Sequence, residues 1–221
     1  MGELTREEEE AIAEFARSRC SRSDPAHGWD HVLCVVRLAR LIGREVGADM
    51  RVLIPAAYLH DVVSRRESPR DHSRASAEEA FRFLLDIGFS EEEAEKVRRV
   101  IEAASYEAHL AGVEPDCPEA LALREADMLD AMGARGIARA FSFAAFYGAP
   151  MGELSWDPEH PPELQMSLEG PDPSAIHHFA SKLLRLRSLF ETETGRRLAE
   201  GRHRFMVEFL KRYKREMEGL D

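Results

Sequence analysis

AAYLHDVVSRRES, residues 56–68, decides how the fold is read. Its first half offers no polar face, so it reads as helix enclosed by other elements. It then ends on His60-Asp61, an imidazole beside a carboxylate. Taking a polar group out of water without a partner costs about 2–7 kcal/mol, and a charge costs more. Something must therefore satisfy both groups.

Outward from that stretch, helix periodicity dominates. Thr5 and Glu8 have capping-box spacing and open a helix to about Arg19. After a turn over 21–25, Val32, Val35, Val36, Ala39 and Ile42 recur at helical intervals within 30–45, and Gly47 ends that segment. The next helix is expected from about Met50 to Val63, with Pro55 near its first turn, where a missing N–H matters little. Further helices are expected over 76–87, over 90–105 behind a second capping box (Ser90 with Glu93), over 119–131, and from Gly133 to about Tyr147. Residues 148–173 hold six of the eleven prolines and read as a lid, a binding loop or a disordered linker. From Ser174 a helix is expected with Ile176, Phe179, Leu183, Leu186 and Phe190 on one stripe, followed by a last helix to about Glu218. No β alternation or internal repeat interrupts this pattern. The expectation is an all-α single domain over 1–221: a core of about 20–147, the Pro-rich loop, and C-terminal helices 174–218 packing on the core. The Ile176–Phe190 stripe suits packing within one chain or across a homodimer.

Bulk composition narrows the function classes. Only three cysteines occur in 221 residues, none at CxxC spacing, which argues against a disulfide framework or a cysteine zinc site and fits a cytoplasmic location. The acidic N-terminus is unlike a signal peptide, and no apolar run approaches the roughly 18 residues that span a bilayer, so no membrane partner is expected. A net charge of −11 makes nucleic acid an unsuitable partner. A small phosphorylated substrate, needing only a local cluster of cations, is not excluded.

The residues able to do chemistry cluster in three places. His27 and His31 stand four apart, one above the other if the segment is helical. His60 and Asp61 diverge by about 100° on a helix, so both reach one ion only if it sits at the edge between them. Asp127 and Asp130 lie three apart within LALREADMLDAMGA, 121–134. One divalent cation would answer the opening question, pairing Asp61 and Asp127 and taking neutral His31 and His60 as nitrogen ligands. Mn, Fe, Co, Ni, Zn or Mg are the candidates, and the nitrogen–oxygen mixture suits the first five better.

His31, then His60-Asp61, then Asp127 form the H…HD…D pattern, and the flanking text strengthens it: HGWDHVLCVVRLARLI (27–42), AAYLHDV (56–62), ADMLDAMGARGIAR (126–139) and HHFASKLLRLRSLFETETGRRLAEGRHRFMVEFL (177–210). Over about residues 20–215 the chain resembles the HD-domain metal-dependent phosphohydrolase superfamily, in particular its YpgQ/YedJ-like subfamily. The resemblance implies an all-helical HD fold, a divalent metal on His31, His60, Asp61 and Asp127, and hydrolysis of phosphate esters or anhydrides, nucleotides among them. Two departures stand out. Ser64 occupies the position where many members carry lysine, with Arg65 and Arg66 directly after it, and the extra histidines of two-metal members have no clear counterpart.

With four protein ligands, a bound ion keeps positions for water and a phosphate oxygen. Asp61 or Asp130 is the candidate to take the proton from that water. His27, Arg65, Arg135 and Lys182 are the candidate substrate contacts, with Arg139 and Arg204 as further cations. The alternative is an HD fold kept as a metal-binding sensor or partner-binding module without turnover.

Overall fold

The computed structural model describes residues 4–20, 24–64, 67–68, 71–167 and 171–220. They form α1 (Arg6–Cys20), a 3₁₀ turn (Pro25–His27), α2 (Trp29–Val46), α3 (Met50–Leu59), α4 (His72–Asp86), α5 (Glu91–Ala104), α6 (Tyr106–Leu110), α7 (Pro118–Asp130), α8 (Gly133–Phe146), α9 (Ala175–His178), a π segment (Phe179–Leu183), a second 3₁₀ segment (Leu186–Leu189) and α10 (Glu193–Met217). The architecture is all-α, with no β-strand among the described residues. The chain gathers into two compact units, residues 1–127 and 128–221, divided within α7.

In the first unit α3 is central, packing against α1, α2, α4 and α5. That placement explains why it is apolar all round: Leu53, Ile54, Ala56, Ala57 and Leu59 are fully enclosed. Asp49 starts the helix by accepting the Arg51 N–H at 2.9 Å. Pro55 is the sixth residue, one turn deeper than the sequence suggests. An internal proline costs about 3 kcal/mol in isolation, and the burial of its neighbours offsets that here. The helix also ends earlier than the expected Val63. His60 is its C-cap, and Asp61 begins a turn. Arg51 ties α3 to its surroundings, meeting Glu8 of α1 at 2.9 Å and Glu93 of α5 at 2.5 Å. Both expected capping boxes are present, Thr5 with Glu8 and Ser90 with Glu93. Helix α4 starts four residues before the expected Ser76, and α6 is a short helix that the periodicity does not announce.

In the second unit α8 packs on α10 and α9. Phe141, Phe179, Phe209 and Tyr213 form its aromatic centre. The Ile176–Phe190 stripe is buried, but its backbone is not one helix. The guanidinium of Arg185 donates to the Ala180 carbonyl at 2.9 Å, while the Leu184 N–H reaches back five residues to Phe179 O, also at 2.9 Å. The ladder thereby widens to π spacing and then tightens to 3₁₀. The Pro-rich stretch forms neither helix nor strand where it is described. It is tied down by Asp172, which accepts from Ser167 N, His178 Nδ1 and Ser181 Oγ, each at 2.7 Å. Those bonds outweigh burial and hold the Asp172 carboxyl down at about 2.

Candidate metal centre

The first unit brings three chain segments to one point: the start of α2, the end of α3 and the last third of α7. His31 is the third residue of α2 and is completely buried. Its Nε2 lies 3.2 Å from His60 Nε2, 3.5 Å from Asp61 Oδ2 and 3.7 Å from Asp127 Oδ1. His60 Nε2 is 3.8 Å from Asp61 Oδ2. His31, His60 and Asp127 each contribute one ligand atom to a group lying within 4.8 Å of one another.

These spacings can be compared with what an ion requires. Ligand atoms bonded at about 2.1 Å to one ion are separated by about 3.0 Å at right angles and about 3.4 Å at tetrahedral angles. The observed separations lie at or slightly above that range, so a small inward shift seats an ion. Proton placement agrees. His60 Nδ1 is 2.9 Å from the Ala57 carbonyl, which can only accept, so Nδ1 carries the hydrogen. His60 thereby turns Nε2, its other ring nitrogen, toward His31, as a nitrogen ligand would. Burial by itself would raise the Asp61 carboxyl. The adjacent His60 ring and the hydrogen bond of His31, with His27 beside them, instead hold it well below the usual carboxylate range. Two imidazole nitrogens and two carboxylates converging this closely present mostly acceptor atoms to one another, and a cation satisfies them together. Their residue types and spacing fit a divalent ion.

The other sequence candidates fall in different surroundings. His27 stands edge-on to His31, ring centroids 5.8 Å apart. Its Nδ1 is held by Asp24 at 2.9 and 3.0 Å from the two carboxylate oxygens. Asp24, 2% exposed, is the residue that reading the sequence missed. The available signal was an Asp-Pro pair three residues before a histidine, since Asp24 also caps the Pro25–His27 turn through Ala26 N. Asp130 lies three residues beyond Asp127 on the same helix and belongs to the second unit. Its carboxylate accepts from Arg135 Nε at 2.6 Å and Arg139 Nη1 at 3.0 Å, and it is completely buried. Lys182 is on the π segment of the same unit. Arg65 lies outside the described residues.

Comparison with known proteins follows the same lines. The HD domain family model matches residues 28–132. YpgQ of Bacillus subtilis is 34% identical over 213 residues, covering 96% of this chain and 95% of that protein. A crystal structure of YpgQ in complex with ADP superposes with a TM-score of 0.70 at 33% identity, over 96% of this chain and all of that one. A Lactobacillus plantarum protein matches with a TM-score of 0.79 at 28% identity, over 98% of this chain and 99% of its own. An HD-superfamily hydrolase from Bacillus thuringiensis matches at 0.68 and 27%, over 96% and 97%.

Proposed function

Because the chain belongs to the HD domain family, we propose that it is a metal-dependent phosphohydrolase cleaving a phosphoanhydride or phosphate ester of a nucleotide. The observation that carries the reading is the convergence of His60, Asp61 and Asp127 on His31 Nε2 at 3.2, 3.5 and 3.7 Å. The nucleotide class is supported by YpgQ, which shares a third of its residues with this chain and was crystallised with ADP.

A divalent ion held by these four residues would acidify a bound water and offset charge on the phosphoryl oxygens. The chain's own groups supply the remainder. The Ala57 carbonyl fixes which nitrogen of His60 faces the centre. Asp61 and Asp127 hold the negative charge that a cation neutralises. Asp61 remains within the ligand cluster, and Asp130 spends its charge on Arg135 and Arg139.

The test is phosphate and pyrophosphate release from nucleoside mono-, di- and triphosphates, after chelation and with added Mn, Mg, Co, Ni or Zn. Asp61→Ala and Asp127→Ala run beside the wild type. Metal-dependent turnover is expected in the wild type alone. Losing even an outer-sphere partner of a metal ligand costs about 10–100-fold in affinity, so removing a ligand should cost no less. A wild type that binds metal and releases nothing from any nucleotide or sugar phosphate would leave the sensor reading standing instead.

A further inference from the structure

The Pro-rich loop is the feature of the sequence that the proposed chemistry leaves unused. Both of its ends are fastened within the second unit. The Pro150 and Met151 carbonyls accept from the Ala175 and Ile176 N–H groups at 3.0 and 2.9 Å, and the Gly152 carbonyl accepts from the Tyr213 hydroxyl at 2.9 Å. Asp172 holds the far end. A loop of this length, fixed at both ends, suits a binding role better than a linker role. It forms one wall of a cavity of about 810 Å³, a size that suits a small organic ligand. Every residue of this cavity lies in the second unit. Pro161 of the loop, Leu184, and Val207 of α10 give it an apolar lining. Four permanent cations face three carboxylates across it, in a chain of net −11. Lys211 and Glu159 offset each other at 2.5 Å. Arg187 and Arg204 both turn toward Glu200, at 3.5 and 4.0 Å, longer than the roughly 2.7–2.9 Å of a charge-assisted bond. One carboxylate offsets only one of these two guanidiniums, which are 52% and 76% exposed. Burial and the Arg187 cation hold His203, beside them, below its ordinary range, so that it adds a neutral polar ring. Glu208 lies one turn further along α10 from Arg204.

We propose that this cavity is a second ligand site, taking a small organic phosphate with its phosphate between Arg187 and Arg204 and its organic part against Leu184, Val207 and Pro161. Two guanidiniums sharing one distant carboxylate are the arrangement that a phosphate completes, since its oxygens accept from both at once. An inorganic phosphate would leave most of a cavity this size, and all of its apolar wall, to water. Glu163 and Glu208 accept from hydroxyl or amino groups of the organic part, and they disfavour a ligand that is charged along its whole length. The bland alternative is a solvated, ion-paired rim that binds nothing. The two differ in whether Arg187 and Arg204 hold a ligand.

The experiment uses the full chain in excess chelator, so that no divalent ion recruits phosphate to the metal centre. Nucleoside diphosphates and glucose 6-phosphate are titrated by calorimetry, with pyrophosphate and adenosine as the two halves of the ligand. At least one organic phosphate is expected to bind saturably and to shift the ring resonances of His203. Pyrophosphate and adenosine should each bind at least about 10-fold more weakly. R187A and R204A should each lower the affinity of the organic phosphate about 10-fold, the factor for losing one hydrogen bond to a charged group. Both side chains are half or more exposed, so the thermal midpoint should stay at the wild-type value. The same titration in D127A should give the wild-type affinity, because Asp127 is no part of this cavity. The proposal is overturned if none of these organic phosphates binds, if pyrophosphate binds as tightly as the best of them, if R187A and R204A leave the affinity unchanged, or if D127A abolishes binding. No turnover is measured, so this site and the hydrolase reading stand or fall independently.

Discussion

Arg51 places one guanidinium between carboxylates from two other helices, with its plane 4.5 Å over the Phe89 ring. Its hydrogen bonds to Glu8 and to Glu93 hold each carboxyl down at about 2, against an ordinary 4.5. The sign of the pH effect follows. On acidification the unfolded chain takes up these protons first, so the stabilisation is fully present above about 4.5 and is lost as pH falls toward about 2. Both glutamates are partly exposed, which limits each pair to at most about 1 kcal/mol. Arg51→Met should therefore lower the urea midpoint modestly at pH 6 and flatten its decline between pH 5 and 3. Parallel pH curves for variant and wild type would show that the network contributes nothing to acid sensitivity. Legibility at this scale is uneven. The ligand candidates could be grouped from sequence because few residue types suit a divalent ion. The engagement of Asp130 by Arg135 and Arg139 could not, because a carboxylate facing guanidiniums and one facing water are the same letter. Asp24 was hidden for a similar reason: as a turn cap it looks complete without its second partner.

At the scale of elements, the contact of α2 with α3 sets where the metal-site residues sit, and Gly43 is what permits it. A Cβ on Gly43 would lie 2.3 Å from Leu53 Cδ2 and 3.2 Å from Met50 Cε. Leu53 is completely buried and cannot swing aside. Gly43→Ala should therefore destabilise despite alanine's better helix propensity, by about 1–3 kcal/mol for overpacking. A shift in the thermal midpoint checks the sign, and an unchanged or raised midpoint would mean that the helices separate without cost. The helices were largely legible from apolar spacing and caps, with errors where local signals compete with packing. Apolar Val62 and Val63 extend the pattern of α3, yet the chain turns at Asp61. The 3-4 spacing from Ile176 to Phe190 reads as a helix, and every stripe residue is indeed buried. The Arg185 bond to the Ala180 carbonyl then changes the backbone beneath an unchanged apolar pattern. Side-chain capture of a backbone carbonyl leaves no periodic trace.

At the scale of the molecule, 44% hydrophobic composition with helical periodicity throughout is enough to indicate an all-α chain. The division at Asp127 and Met128 was not legible, because α7 runs through it without a break in pattern. The proposed metal ligands all belong to the first unit. Charge adds to the argument: in a chain of net −11, gathering two of its carboxylates around His31 raises repulsion that a bound cation relieves. An ion that binds the folded site and not the unfolded chain stabilises by mass action, by about 2.7 kcal/mol at 100 times its Kd. For a protein of this size that corresponds to about 5–10 °C in midpoint. Calorimetry of the chelated chain against the chain with Mn(II) should show the rise, reversed by chelator and absent in Asp127→Ala. Should the two units melt separately, the rise belongs to the transition that carries His31, His60 and Asp61. A rise of equal size in Asp127→Ala would place the ion elsewhere on this acidic chain.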